Sequence, residues 1–305
     1  MQIYLAPMEG LTTFIYRNAF NRFYGGIDKY FTPFLANKNL SHKDINDVMP
    51  EHNKGMTVVP QILTNQADVF LSIASKLTDY GYPEVNLNLG CPSGTVVARK
   101  RGAGFLSVPD SLDAFLSEIF DKCPLDISIK TRIGIESLDE WVNLLAIFAK
   151  YPLKELIIHP RLQKEFYKKP LHPEAFHTAQ NTLSIPLCYN GDITSFESLA
   201  ALMAQIAPVP AIMIGRGALS NPQLPMLLRN GSTTPNTACR AFHDEILAGY
   251  TELMSGSQPV LFRMKELWSY MRCYVNLSDK QMKKIQKAKS LEEYKAIIRN
   301  INFSR

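Results

Sequence analysis

Eight short apolar stretches punctuate the first two-thirds of the chain, at 3–6, 29–34, 57–63, 84–89, 126–131, 155–159, 186–189 and 211–214. Several, such as Ile212-Met213-Ile214, lack clean alternation, as parallel strands covered on both faces do. Helical periodicity fills many of the gaps. Over 67–80, Val69, Ile73 and Leu77 fall on one face, and 138–150 and 196–206 behave similarly. Strands alternating with helices in this way predict an α/β fold, a (β/α)8 TIM barrel. The second unit is the weakest, because 42–47 offers little helix. Beyond Pro235 the strand pattern stops. Residues 238–254, 260–275, 279–288 and 291–301 read as helices, with Ser278-Asp279 and Ser290 as N-caps. Gly, Ser, Thr, Pro and Asn cluster at 231–236, so the expected division is a barrel over 1–234 and a smaller all-helical unit over 235–305.

Polar and glycine-rich motifs close most of these strands, and in such barrels the C-terminal strand ends meet on one rim. In order they are Ala6-Pro7-Met8-Glu9-Gly10, Gln61, Asn88 with Cys91, Lys130 with Arg132, His159 with Arg161, Asn190-Gly191-Asp192 and Gly215-Arg216-Gly217. Cys91 follows a glycine and precedes a proline, at the mouth of a strand, on a turn the one permits and the other stiffens. A buried structural cysteine is the commoner reading of such a spacing taken alone. The two glycine-rich loops suit a phosphate, since barrel loops after strands seven and eight often hold one, and Arg216 adds a bidentate donor. Lys130 stands alone within a buried strand and needs an anion or a covalent use: a Schiff base, or a cation against a negative cofactor. Gln61 and Asn88 can bond a heterocycle's amide edge or bridge barrel backbone. His159 reads as a core histidine or, with Arg161 two residues on, as part of a polar pair. The linker 91–110 is long and glycine-rich, as functional loops are.

Composition narrows the class. The 305 residues are 46% hydrophobic and 20% charged, an ordinary soluble enzyme. Five scattered cysteines form no CxxC pair, so neither a disulfide framework nor a metal site is expected. No signal peptide and no bilayer-length apolar run are visible, and a cytoplasmic protein is expected. The net charge is +5, yet from Leu261 onward eleven Lys and Arg face four Asp and Glu, which leaves the rest slightly acidic. A basic tail on a neutral body suggests a polyanionic partner, and a solvated helical face is the plainer alternative. Lys280, Lys283, Lys284 and Lys287 fall on one helical stripe, and Arg263, Lys265 and Arg272 precede it.

Six of these motifs, in this order and spacing, resemble the tRNA-dihydrouridine synthases, over almost the whole chain. Met213 to Leu219 and Arg263-Met264-Lys265 look most like the bacterial C-type branch. The resemblance implies an FMN-dependent reductase of the C5–C6 bond of a uridine in tRNA, in the D-loop, with NADPH as reductant. Hydride would pass from flavin N5 to C6, and Cys91, as general acid, would protonate C5. Pro7, Met8 and Glu9 would lie along the isoalloxazine. Gln61 and Lys130 would face its polar edge, with His159 in the same site. Asn190, Gly191, Asp192, Gly215 and Arg216 would hold the phosphate. Asn88, Arg132 and Arg161 would face the substrate. The tail's Arg263, Lys265, Arg272, Lys280, Lys283, Lys284 and Lys287 would grip tRNA. No membrane or obligate protein partner is implied.

The chain departs from the family pattern at three places. Gly94 stands where a Lys is usual, Asn86 where an Asp is usual, and 162–170 follows no usual motif. Arg99, Lys100 and Arg101 could restore the missing charge. Three rivals stand beside this reading. A small-molecule flavin reductase of the dihydroorotate or enoate type leaves the basic tail without a use. A Schiff-base aldolase on Lys130 leaves Cys91 unexplained, and a non-catalytic RNA-binding protein leaves the polar rim idle.

Overall fold

The computed structural model describes residues 1–232, 237–275 and 277–303. Its strands are β1 (Gln2–Leu5), β2 (Lys29–Leu35), β3 (Val58–Ile62), β4 (Glu84–Leu89), β5 (Asp126–Arg132), β6 (Leu156–His159), β7 (Leu187–Asn190) and β8 (Ala211–Ile214). They close in sequence order, all parallel, with β8 pairing back onto β1. The helices between them are α1 (Phe14–Phe23), α2 (His42–Val48), α3 (Ala67–Asp79), α4 (Gly94–Val97), α5 (Pro109–Lys122), α6 (Asp139–Phe148), α7 (Pro173–Thr182) and α8 (Phe196–Met203), and α9 (Arg216–Ser220) and α10 (Leu224–Asn230) come after β8. α11 (Cys239–Leu253), α12 (Ser257–Val275), α13 (Asp279–Lys287) and α14 (Leu291–Arg299) follow. None of the helices is long and apolar enough to cross a membrane, among the described residues.

Strand alternation sorts side chains into two cores. Ile3, Leu5, Val85, Leu87, Ile129, Ile158 and Ile212 point outward beneath the helices. Tyr4, Ala6, Phe31, Val59, Ile157, Cys188, Ala211 and Met213 fill the barrel itself. A polar layer lies above that plug. Gln61 Nε2 donates to Asn86 Oδ1 (2.8 Å), Asn86 Nδ2 to Ser128 Oγ (2.9 Å), and Asn88 Nδ2 to Gln61 Oε1 (2.7 Å). Asn86 uses both ends of its amide here, accepting from Gln61 and donating to Ser128.

α2 corrects one expectation. The helix forms on its cap rather than on an apolar stripe. Ser41 Oγ accepts from the Asp44 amide and Asp44 Oδ2 from the Ser41 amide. Asp47 then pairs with the fully buried Arg17 of α1.

The expected boundary between 234 and 235 lies outside the described residues. The helices that follow dock closely on the barrel. Phe242 of α11 packs edge-on against Tyr16, Phe20 and Tyr24, and Tyr250 OH lies 3.0 Å from Thr13 Oγ1. Inside the bundle Tyr294 OH bonds both His243 Nε2 and Trp268 Nε1 at 2.6 Å.

Candidate active site

Cys91 sits on a turn wound by Asn88. The Asn88 Oδ1 accepts from the Gly90 and Cys91 amides, 3.0 Å each, while its Nδ2 is tied to Gln61. The turn is backed by the Gly102–Ser107 3-10 segment, where the Ala103 amide donates to Cys91 O (3.1 Å). Gly102 has φ +54, and a Cβ there would lie 2.9 Å from Cys91 O, so only glycine fits. Burial pushes the half-buried thiol's pKa up against the pull of Lys130 and Arg132. Cys91 therefore keeps its proton at neutral pH.

Lys130 projects from β5 into the barrel mouth beside Asn88, its register partner on β4. Its ammonium has no hydrogen bond or ion pair among the described residues. Burial first, then Arg132, lowers its pKa to about 8. His159 Nδ1 lies 2.7 Å from Asn190 O, and since a carbonyl only accepts, that nitrogen carries the proton. Burial holds the ring's pKa well below the usual value, so it is neutral.

Lys130 and His159 open into one cavity of about 600 Å³, and Cys91 lies outside its lining residues. The structure brings Pro7, Met8, Lys130, His159, Asn190, Gly191, Asp192, Gly215 and Arg216 to its walls. Asn190 Nδ2 is fixed by Met213 O (2.8 Å). Asp192, at φ +43, receives Arg216 Nη2 at 2.6 Å and a second guanidinium from Arg161. Two expected wall residues lie elsewhere. Glu9 is exposed and paired to Lys43 at 2.8 Å. Gln61 is fully buried in the amide ladder, one layer down.

The expected substrate arginines of the barrel are committed to the protein. Arg132 donates to Gly90 O (3.1 Å), Leu162 O (2.9 Å) and Phe166 O (2.8 Å). Arg161, 3% exposed, binds Lys169 O (2.6 Å) and Asp192. Asn88 is likewise spent on the Cys91 turn. In the loop after it, Lys100 Nζ reaches Ser107 Oγ (3.2 Å), Arg101 Nε reaches Asn65 Oδ1 (3.4 Å), and Arg99 is exposed.

The tail divides in the same way. Arg263 lies on Gly10 and pairs with Glu266 (2.9 Å), Lys265 caps Ala288 O, and Arg272 meets Asp279 (2.7 Å). The stripe does stand out. Lys280, Lys283, Lys284 and Lys287 line one groove of about 550 Å³ with Glu293 and Ile297, and none of the four has an ion pair among the described residues.

Sequence reasoning missed Tyr167 and Tyr270, which line the cavity. The guanidiniums of Arg132 and Arg216 lie 5.1 and 4.4 Å from the Tyr167 ring centre. Tyr167 falls in the stretch with no usual motif, and Tyr270 beyond the expected barrel, so no local signal marks either.

A comparison with protein families matches residues 4–302 to the dihydrouridine synthase (Dus) model. The chain is 32% identical over 234 residues to a tRNA-dihydrouridine(16) synthase of Pseudomonas putida, covering 73% of this chain and 72% of that one. It is 28% identical to a tRNA-dihydrouridine(16) synthase of Neisseria meningitidis, covering 77% and 74%. Among solved structures, morphinone reductase superposes with TM-score 0.54 at 13% identity, covering 78% of this chain and 88% of that one. An old yellow enzyme homologue from Zymomonas mobilis gives 0.52 at 11%, covering 79% and 92%. At such identities these last two speak for the barrel fold alone.

Proposed function

The chain belongs to the dihydrouridine synthase family, and we propose that it is a tRNA-dihydrouridine synthase that holds FMN in the barrel cavity and reduces one D-loop uridine. It is an oxidoreductase acting on tRNA uridine. The observation that carries the cofactor reading is Lys130. Its partnerless, half-buried ammonium opens on a cavity within the usual ~300–1,000 Å³ of cofactor sites, and a cation there favours an anion. The residues fit the group. Met8 and Pro7 supply an apolar wall. The Gly191 and Gly215 backbone with Arg216 supplies a phosphate seat, once Arg216 shares or leaves Asp192. A flavin held there would supply hydride for uracil C6, with NADPH, as the resemblance implies, as the reductant.

The chain's own residues do the rest. Cys91, kept as a thiol, gives its proton to C5, so that hydride and proton together saturate the bond. Arg132 and Asn88 hold the Cys91 turn rather than the base. Lys130 holds positive charge against the cofactor's polar edge. A uridine reaches this depth only if it leaves its stack. The lysine groove of α13 and α14 suits the phosphates of the same tRNA. Position 16, named for the Pseudomonas and Neisseria relatives, is the uridine to examine first.

The protein is expected to purify yellow with about one FMN per chain. A colourless protein that takes up no added FMN overturns the cofactor reading.

A further inference from the structure

α12 crosses the barrel rim at two points on one face. Arg263 and Tyr270 are seven residues apart, two helical turns and about 10.5 Å. At the first point, the Arg263 guanidinium lies on the Gly10 backbone, beside Met8 and Glu9. A Cβ built on Gly10, whose φ is +74, would sit 2.1 Å from Arg263 Nη1. At the second, Tyr270 lines the same cavity as Arg216, Ser220 and Lys130. Its ring is half-buried, and its hydroxyl has no hydrogen-bond partner among the described residues. α12 packs along α9, the short helix that carries Arg216. A helix that only docked would not need a phenol with an unpaired hydroxyl in the cavity.

We propose that α12 forms a wall of the cofactor cavity, with Tyr270 a positioning residue at its phosphate end and Arg263 the contact that seats the helix. The inference rests on the flavin reading above and deepens it. Cofactor retention then depends on residues beyond the barrel sequence, and by linkage the cofactor holds α12 in place. Arg263 thereby leaves the set of expected RNA contacts, and the lysine groove is left to grip tRNA.

The test uses the full chain stripped of flavin, titrated with FMN and separately with riboflavin, which lacks the phosphate. Tyr270→Ala should bind FMN about tenfold more weakly, the scale of one aromatic contact, with riboflavin changed less than twofold. Tyr270→Phe should fall between. FMN affinity within twofold of wild type in the Ala variant overturns the proposal, as does equal loss of both ligands. A second measurement needs no variant. Amide exchange over 263–272 in the wild-type chain should slow when FMN is added and slow less with riboflavin; unchanged exchange with FMN overturns the proposal even if Tyr270→Ala does not fold. A wild type that binds no FMN at all fails earlier, on the flavin reading itself.

Discussion

Lys130 shows most plainly what the site costs the fold. Burial lowers its pKa to about 8 from the ordinary value near 10.5, a difference on the order of 3 kcal/mol. The sign follows from the direction. A lysine with a depressed folded pKa binds its proton less well when folded, so the penalty is full below about pH 8 and fades as pH rises towards the unfolded value. Lys130→Met, without flavin, should therefore unfold at a higher denaturant midpoint than wild type at pH 7. The gap should close towards pH 10, and flavin affinity should fall. Equal midpoints at pH 7 would mean the ammonium is not strained. This residue was legible in the sequence, because a single Lys within an apolar strand has few structural uses. Asn88, Arg132 and Arg161 were harder. Sequence places them on the rim but cannot say whether a polar head turns to the cavity or back to the backbone; here both arginines donate to backbone carbonyls and Asn88 accepts from backbone amides.

Among the elements, the eight strands could be read because each is an apolar run and most end in polar or glycine-rich residues. α2 could not, since Ser41 and Asp44 make it through a capping box and not through periodicity. The loop contacts were beyond reach for a different reason: they join segments far apart in the chain. Arg132 is the clearest case. It ties the Cys91 turn, through Gly90 O, to the 162–168 segment, through Leu162 O and Phe166 O. Arg132→Met leaves three carbonyls without that donor and should lower stability by about 3 kcal/mol in denaturant titration. Turnover should fall with it, because the turn that aims Cys91 loosens. Arg132→Lys offers one point charge for a fork and should recover only part of the loss. Unchanged stability in Arg132→Met would show the brace to be dispensable.

For the whole molecule, the proposed reading gives the chemistry to the barrel and the grip on tRNA to the basic helices. The charge asymmetry along the chain suggests this division, but gives no sign that Tyr270 of α12 reaches the cavity. The four groove lysines repel one another unless an anion lies among them. The Lys280→Glu, Lys283→Glu double variant should weaken tRNA binding and flatten its salt dependence, while flavin content stays as in wild type. Unchanged affinity and salt slope would make the groove a solvated face. The central claim, uridine reduction with Cys91 as the proton source, is tested most directly by position-resolved dihydrouridine mapping. Unmodified tRNA is incubated with NADPH and either flavin-loaded wild type or flavin-loaded Cys91→Ala. Dihydrouridine is expected at one D-loop position with wild type, and a rate lower by about 10²–10⁴-fold with Cys91→Ala at equal flavin content. No dihydrouridine with the wild-type protein, or equal rates from the two, would contradict it.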